Sequence, residues 1–324
     1  MTNPSQADPH NQVEFDLLAV DPTRIWLEHG FTWLVRSFAF GTVVILCWLS
    51  WVIFQQAQSA IAKFGLGFLL SKEWDVGALS FGAAPYIYGT LLSSTLALLI
   101  AVPIGLAVAL VTSENFLPIW VRSPLAFIVE LIAAIPSVII GLWGIFVMIP
   151  LLQPVQLWLY EHLRWIFLFN TEPYGPSIFA AGVILAIMIL PTVAAISRGV
   201  LLAIPKELRS ASMSLGATRW ETIFKVLLPA GASGILGAAI LALGRALGET
   251  MAVTMVIGNS DQISYSLLDA ASTIPSLLAN QFAEALDPIH IGALMYLTLI
   301  LFVITLIVNM TAWAMVQIFS LHTD

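Results

Sequence analysis

Two ionisable residues stand where an apolar run should exclude them. Arg245 and Glu249 fall within "LGRALGETMAV", inside the apolar stretch Ala230–Ile257. Spaced i, i+4, they are predicted to share one face of a helix. An ionised side chain in a bilayer costs at least ~2.5–3.5 kcal/mol on insertion scales, so it is normally paired and turned toward the bundle interior. Two chemistries fit. Either the two charges neutralise each other and lock helices together, or Arg245 offers a fork of donors to an anion crossing the membrane. In the second case Glu249 orients the guanidinium and reclaims it, so that the anion leaves. Glu130, in the apolar stretch Pro124–Pro150, is expected to bond a neighbouring helix or to serve as a gate partner. Gly244 and Gly248 flank the charges as a G-x-x-x-G pair, a spacing that lets a second helix approach closely.

The other concentration of chemistry is "PKELRSASMSLGATRWETIFKVLLP", Pro205–Pro229, which holds four of the twelve Lys and Arg residues of a chain only 10% charged. Pro205 can open a helix whose Leu208, Ala211 and Leu215 recur on one face. Gly216 suits the position just past a helix end, where a left-handed backbone is cheap for glycine. Thr218-Arg219-Trp220-Glu221 matches a capping box. The helix it opens would present Trp220, Ile223, Phe224, Leu227 and Leu228 on its apolar face until Pro229 bends it. The stretch therefore predicts two short amphipathic helices meeting at an elbow. A connector lying in headgroups and a rigid knob for a soluble partner fit this pattern equally.

These features need a frame, and composition supplies it. The 324 residues are 59% hydrophobic, with eleven Trp and eighteen Phe. Such a chain has too little charge to cover a soluble surface. Six stretches reach the ~20 apolar residues that cross a bilayer: Ser37–Phe54, Ile87–Val111, Pro124–Pro150, Ile178–Ile196, Ala230–Ile257 and Ile289–Ile318. All are expected to be helical, because an open backbone in lipid leaves polar groups unpaired. The prediction is an all-α integral membrane protein. Residues 1–35 form a cytoplasmic tail and interfacial helix, opened by an Asp21-Pro22 cap, and residues 36–320 form the transmembrane domain carrying the elbow at 205–229. Pro103, Pro136 and Pro191 interrupt three spans and are hinge candidates.

Cations set the orientation. Arg24, Arg36, Arg122, Arg198, Lys206, Arg209, Arg219 and Lys225 fall on one side, against Lys63, Lys72 and Arg164 on the other. Both termini are thus expected in the cytoplasm, and the Lys/Arg-free loop 258–290 outside. A net charge of −7 argues against nucleic acid. The single cysteine, Cys47, permits no internal disulfide, and the five histidines show no ligand spacing, so no metal site is expected. No nucleophile–base constellation points to an enzyme. A G-x-x-x-x-G-K-[ST] phosphate loop is lacking, so the chain is not expected to be an ATPase itself.

Gly216, then nine residues, Val226, one residue and Leu228-Pro229 closely resembles the cytoplasmic motif of ABC-importer permeases. That motif reads Glu-Ala-Ala, three residues, Gly, nine residues, Ile, one residue, Leu-Pro. Ser210, Ala211 and Ser212 occupy the Glu-Ala-Ala positions, so the family's glutamate is missing, with Glu207 one turn earlier. "FGAAPYIYGTLLSSTLALLIAVPIGLAVALVTSE", "IPSVIIGLWGIF" and "LGRALGETMAV" look like the phosphate-specific permeases of the PstC type, and the resemblance runs from about Trp74 to the last span. It implies a type I ABC importer permease fold in a bacterial cytoplasmic membrane. It also implies a second similar permease subunit, two cytoplasmic ATPase subunits holding ATP and magnesium, and an external phosphate-binding protein. Ser210, Ala211, Ser212, Gly216, Thr218 and Arg219 would couple to the ATPase, and no cofactor would bind this chain. The competing expectations are an ion-coupled anion carrier using Glu130, Arg245 and Glu249 as a proton relay, and an ABC permease for another oxyanion such as molybdate or sulfate.

Overall fold

A computed structural model of the chain describes residues 22–114 and 116–320. The chain divides into two units at Gln55/Gln56. The described part of the first unit lies entirely on helix α1, Pro22–Phe64. The short helix expected to lead into the first span is continuous with it. The reason is plain in the sequence: after Pro22 no proline occurs until Pro85. The expected Asp21 cap and the tail before it lie outside the described residues. Phe31, Trp33, Phe38, Phe40 and Trp48 are all exposed. A helix apolar on every side belongs in lipid. Ser37, Thr42 and Ser50 accordingly donate to the carbonyls of Trp33, Phe38 and Leu46 one turn back, which satisfies a hydroxyl without water.

The second unit is built on α2 (Ala84–Ser113) and α6 (Ile178–Ala203), which pack along much of their length. Lipid gives helices no hydrophobic drive to associate, so close van der Waals packing of small residues must do it. Gly105 meets Val193, and Gly182 meets Leu96; a Cβ at either would stand 2.9 or 2.5 Å from those side chains. Ala97, Ala101, Ile184, Ile189 and Val193 fill the seam. Both helices continue through their prolines, Pro103 and Pro191. Ser177 caps α6 by accepting from the Ala180 N–H at 3.1 Å, and is itself bonded by Gln156 at 3.0 Å.

The expected span Pro124–Pro150 is not one helix. α3 (Ile119–Ala133) ends before Pro136, and a new helical run starts at Ser137. Pro136 cannot donate to a preceding turn, and it pushes Ile135 away from helical geometry. The membrane-length run is Ser137–Leu163, made of α4 (Ser137–Trp143), one π turn (Gly144–Met148) and α5 (Ile149–Leu163). Pro136 is therefore a boundary between helices and not a kink inside one.

After α6 come α7 (Lys206–Ser214), α8 (Arg219–Thr222), a second π turn (Ile223–Leu227) and α9 (Leu228–Ala230). A 69° bend then leads into α10 (Ala232–Gly248). The expected fifth span also ends early: Glu249 is extended, and α11 (Met251–Val256) starts afresh. α12 (Ile274–Gln281) and α13 (Pro288–Ser320) complete the described residues, the latter close to its expected limits. At the end of the unit opposite the elbow, a short antiparallel hairpin, β1 (Trp74–Asp75) and β2 (Ser80–Phe81), joins a second core that includes Phe68, Tyr86, Ile274, Leu277 and Leu294. There Trp74 donates to Gln281 at 2.8 Å, and Phe81 stacks on His290. Among the described residues, five helices can cross a membrane, or six if the bent pair Arg219–Ala230 and Ala232–Gly248 is one span.

Candidate functional site

Arg245 sits in the last turn of α10 with its side chain exposed. Among the described residues its guanidinium makes one hydrogen bond, donating from Nη1 to Thr192 Oγ1 of α6 at 3.3 Å. The expected Arg245–Glu249 pair is absent among the described residues. The i, i+4 rule needs both residues in one helix, and Glu249 has already left it, at φ −68° and ψ 127°. Its carboxylate turns forward and accepts from the Ala252 N–H of α11 at 3.5 Å. What favours Arg245 locally is the carbonyl-rich end of α10, whose partial negative charge suits a cation. The guanidinium thus keeps most of its donors and its full charge on an open helix face. Among the described residues Gly244 and Gly248 bring no helix into close approach: a Cβ at Gly248 would meet nothing within 4 Å, and one at Gly244 would meet Asn309 Oδ1 of α13 at an ordinary 3.9 Å.

Glu130 on α3 faces Arg198 of α6, its Oε1 3.9 Å from Nη1. The contact joins α3 to α6. Arg198, counted from sequence as a loop cation, belongs to α6 itself.

The elbow forms as its local chemistry dictates. Gly216 has φ +86°, and the N–H groups of Gly216 and Ala217 donate to the Met213 and Ser212 carbonyls. This closes α7 with a double-bonded glycine cap. The capping box is complete: Glu221 N–H donates to Thr218 Oγ1 at 3.3 Å, and Thr218 N–H donates to Glu221 Oε2 at 2.9 Å. The Thr218 backbone bond, then its hydroxyl and the Lys225 charge, hold the exposed Glu221 carboxyl below the usual carboxylate range. Ser212 and Thr222 hydroxyls bond across the two arms at 3.0 Å. Pro229 has no N–H for the Lys225 carbonyl, and the chain answers with the π turn, in which Leu228 N–H reaches back to Ile223.

The expected apolar faces divide. Ile223 and Leu227 are buried against Ala109, Leu201 and Ile204. Trp220 and Phe224 stay exposed and stack on each other, with the Phe116 ring tilted beside Trp220. On α7 the face of Leu208, Ala211 and Leu215 points outward, Leu215 being 90% exposed. With Gly216, Glu221 and Val226 it lines an open groove of about 540 Å³ between the arms. Ser210 bonds back to the Lys206 carbonyl. α7 is anchored by Arg209, which reaches Glu114 at the end of α2. Sequence reasoning missed this contact because the partners are 95 residues apart and no spacing rule joins them; Thr192 escaped notice for the same reason.

Residues 101–320 match the family described as the binding-protein-dependent transport system inner membrane component. The chain belongs to this family. Members similar to this inner membrane component include the phosphate transport system permease protein PstC of Mesorhizobium japonicum, 41% identical over 84% of this chain and 85% of that protein. PstC of Pasteurella multocida is also 41% identical, over 87% and 89%. PstC 2 of Mycobacterium tuberculosis is 37% identical over 87% and 89%. Among solved structures, a bacterial alginate ABC transporter in complex with its pentasaccharide-bound periplasmic protein aligns with a TM-score of 0.58 at 18% identity, over 89% of this chain and 96% of that chain. This likeness shows the fold alone. The binding-protein-dependent inner membrane component described here thus has the type I ABC importer permease fold and spans the inner membrane several times.

Proposed function

We propose that the chain is the transmembrane permease subunit of an ATP-driven importer of inorganic phosphate. The observation that carries the site reading is the exposed guanidinium of Arg245, bonded among the described residues to a neutral hydroxyl and not to a carboxylate. Relatives named for phosphate transport over most of the chain supply the anion. A cation on a carbonyl-rich helix end, with donors to spare, binds a doubly charged oxyanion without enclosing it. That is the weak, reversible contact a conducting path requires. Glu249 borders the same junction, and release from Ala252 would let it compete for the guanidinium and speed departure.

The elbow is the second working part. By the excess of cations on its side, it faces the cytoplasm together with both termini. Its outward Leu208–Ala211–Leu215 face and rigid caps suit a soluble partner better than lipid: a connector buried in headgroups has no use for a groove between its arms. The partners are two ATPase subunits, which hold ATP and magnesium, a second similar permease and an external phosphate-binding protein. Ser210, Ala211, Gly216, Thr218 and Arg219 lie on or beside the docking surface, while Ser212 ties the arms. ATP binding closes the ATPases and pushes the elbow, and interior prolines Pro103 and Pro191 give α2 and α6 places to flex. Transport is then a two-state equilibrium biased from both ends.

The test is reconstitution of the full complex in liposomes, measuring phosphate uptake and phosphate-stimulated ATP hydrolysis. Both should require the ATPase and the binding protein. Uptake by this chain alone, driven by a proton gradient, would replace the proposal with an ion-coupled carrier. Stimulation by molybdate or sulfate in place of phosphate would keep the architecture and change the cargo.

A further inference from the structure

We propose that Arg209 is a positioning residue that makes the elbow and the inner ends of α2 and α6 a single moving body. The inference rests on the reading of the elbow as the part pushed by the ATPase.

One guanidinium joins three elements. Nε and Nη2 donate to Glu114 Oε1 at 3.1 and 3.0 Å, at the end of α2. Nη2 also donates to the Leu201 carbonyl at 2.6 Å, and Nη1 to the Ile204 carbonyl at 2.8 Å, at the end of α6. The side chains of Arg209 and Glu114 are only 16% and 18% exposed. The Leu201 carbonyl explains why an arginine is needed. In a continuing helix it would accept from residue 205, but residue 205 is proline and has no N–H. The carbonyl is orphaned by the residue that starts the elbow, and the elbow's own first full turn returns a donor to it. Arg209 therefore caps α6, neutralises Glu114 and holds α7 in one geometry at once. Lysine, a single point of charge on a flexible stem, cannot hold that fork.

The connection leads onward to the charge in the membrane. Thr192, which holds Arg245, lies nine residues before Leu201, roughly 13 Å up the same helix. Pro191 precedes it directly. A push on α7 is delivered through Arg209 to the stretch Thr192–Ala203, whose upper end is Arg245's partner, directly after the interior proline.

The test uses the assembled transporter in liposomes on a Cys47→Ser background. Arg209→Gln should lower phosphate transported per ATP hydrolysed at least about tenfold, with ATPase subunits still co-purifying. Arg209→Lys should recover only a minor part, and Glu114→Gln, which keeps an acceptor, should lose about two- to threefold. A second arm places spin labels at Lys206→Cys and Ala107→Cys. The distance distribution should be narrow with Arg209 present and broaden by several ångströms with Arg209→Gln, whether or not the complex assembles. Unchanged transport per ATP in Arg209→Gln, or an unchanged label distribution, overturns the proposal. Failure of phosphate to stimulate ATP hydrolysis in the complex with Arg209 intact sinks the functional reading instead, and the label arm still decides the clamp.

Discussion

Replacing Arg245 with glutamine tests the path most directly, because glutamine keeps a polar amide on the same helix face but carries no charge. In the structure one donor of the guanidinium serves Thr192, which leaves the rest of a five-donor fork for an anion. A hydrogen bond to a charged group contributes about 1.5–3 kcal/mol. A bidentate contact with phosphate therefore loses at most about 3–6 kcal/mol on substitution. At 1.4 kcal/mol per factor of ten, uptake should fall by roughly 10²- to 10⁴-fold. Arg245→Lys keeps the charge and loses the fork, so it should fall between the two, nearer the glutamine variant. The assay is uptake of labelled phosphate into liposomes holding the complete transporter, with assembly checked by co-purification of the ATPase. An assembled Arg245→Gln transporter working within about threefold of the parent would show that the arginine only packs helices, since no phosphate contact worth 1.5 kcal/mol or more would have been lost.

Glu249→Gln should leave thermal stability within about 1 kcal/mol of the parent, because no ion pair with Arg245 is broken; a larger loss in a melting experiment would restore the pair the sequence suggested. Gly105→Ala forces a Cβ to 2.9 Å from Val193 and should destabilise the chain by about 1–3 kcal/mol, read as a lower melting temperature in detergent; an unchanged value would deny the close α2–α6 seam. Thr218→Ala removes one side of the capping box and should cost the elbow about 0.5–2 kcal/mol. Hydrogen exchange at the Glu221 and Thr222 amides should speed up accordingly, and protection as before would mean the cap is idle.

What could be read in the sequence was what neighbouring residues decide between themselves. The Gly216 cap, the Thr218–Glu221 box, the start of α6 at Ile178 and the apolar lengths of most spans all rest on interactions within one or two turns. The losses came where a local rule met a competing one. Helical spacing placed Arg245 and Glu249 on one face, but the chain leaves helix at Glu249 and the carboxylate turns to the next helix instead. Apolar composition alone ran a span through Pro136, where the missing N–H ends one helix and starts another. The amphipathic pattern of α7 correctly marked Leu208, Ala211 and Leu215 as one face. It could not say that this face stays uncovered among the described residues. Arg209 and Glu114 were each visible as charges near span ends, and only the fold brings them together.

The two π turns carry a consequence for how this chain can vary. Each sits just ahead of a proline, Gly144–Met148 before Pro150 and Ile223–Leu227 before Pro229. Each holds one residue more than an α-helical turn would, and a helix advances about 100° per residue. Deleting a single residue from Ile223–Leu227 would restore regular winding and leave the arms on either side nearly in phase, because the wide turn absorbs its extra residue. It would also drive a carbonyl back onto the Pro229 ring, which has no N–H to meet it. A deletion inside a regular stretch such as Ala232–Gly248 would instead rotate everything beyond it by about 100°. The wide turn is thus a slack link that lets a proline sit within a continuous winding.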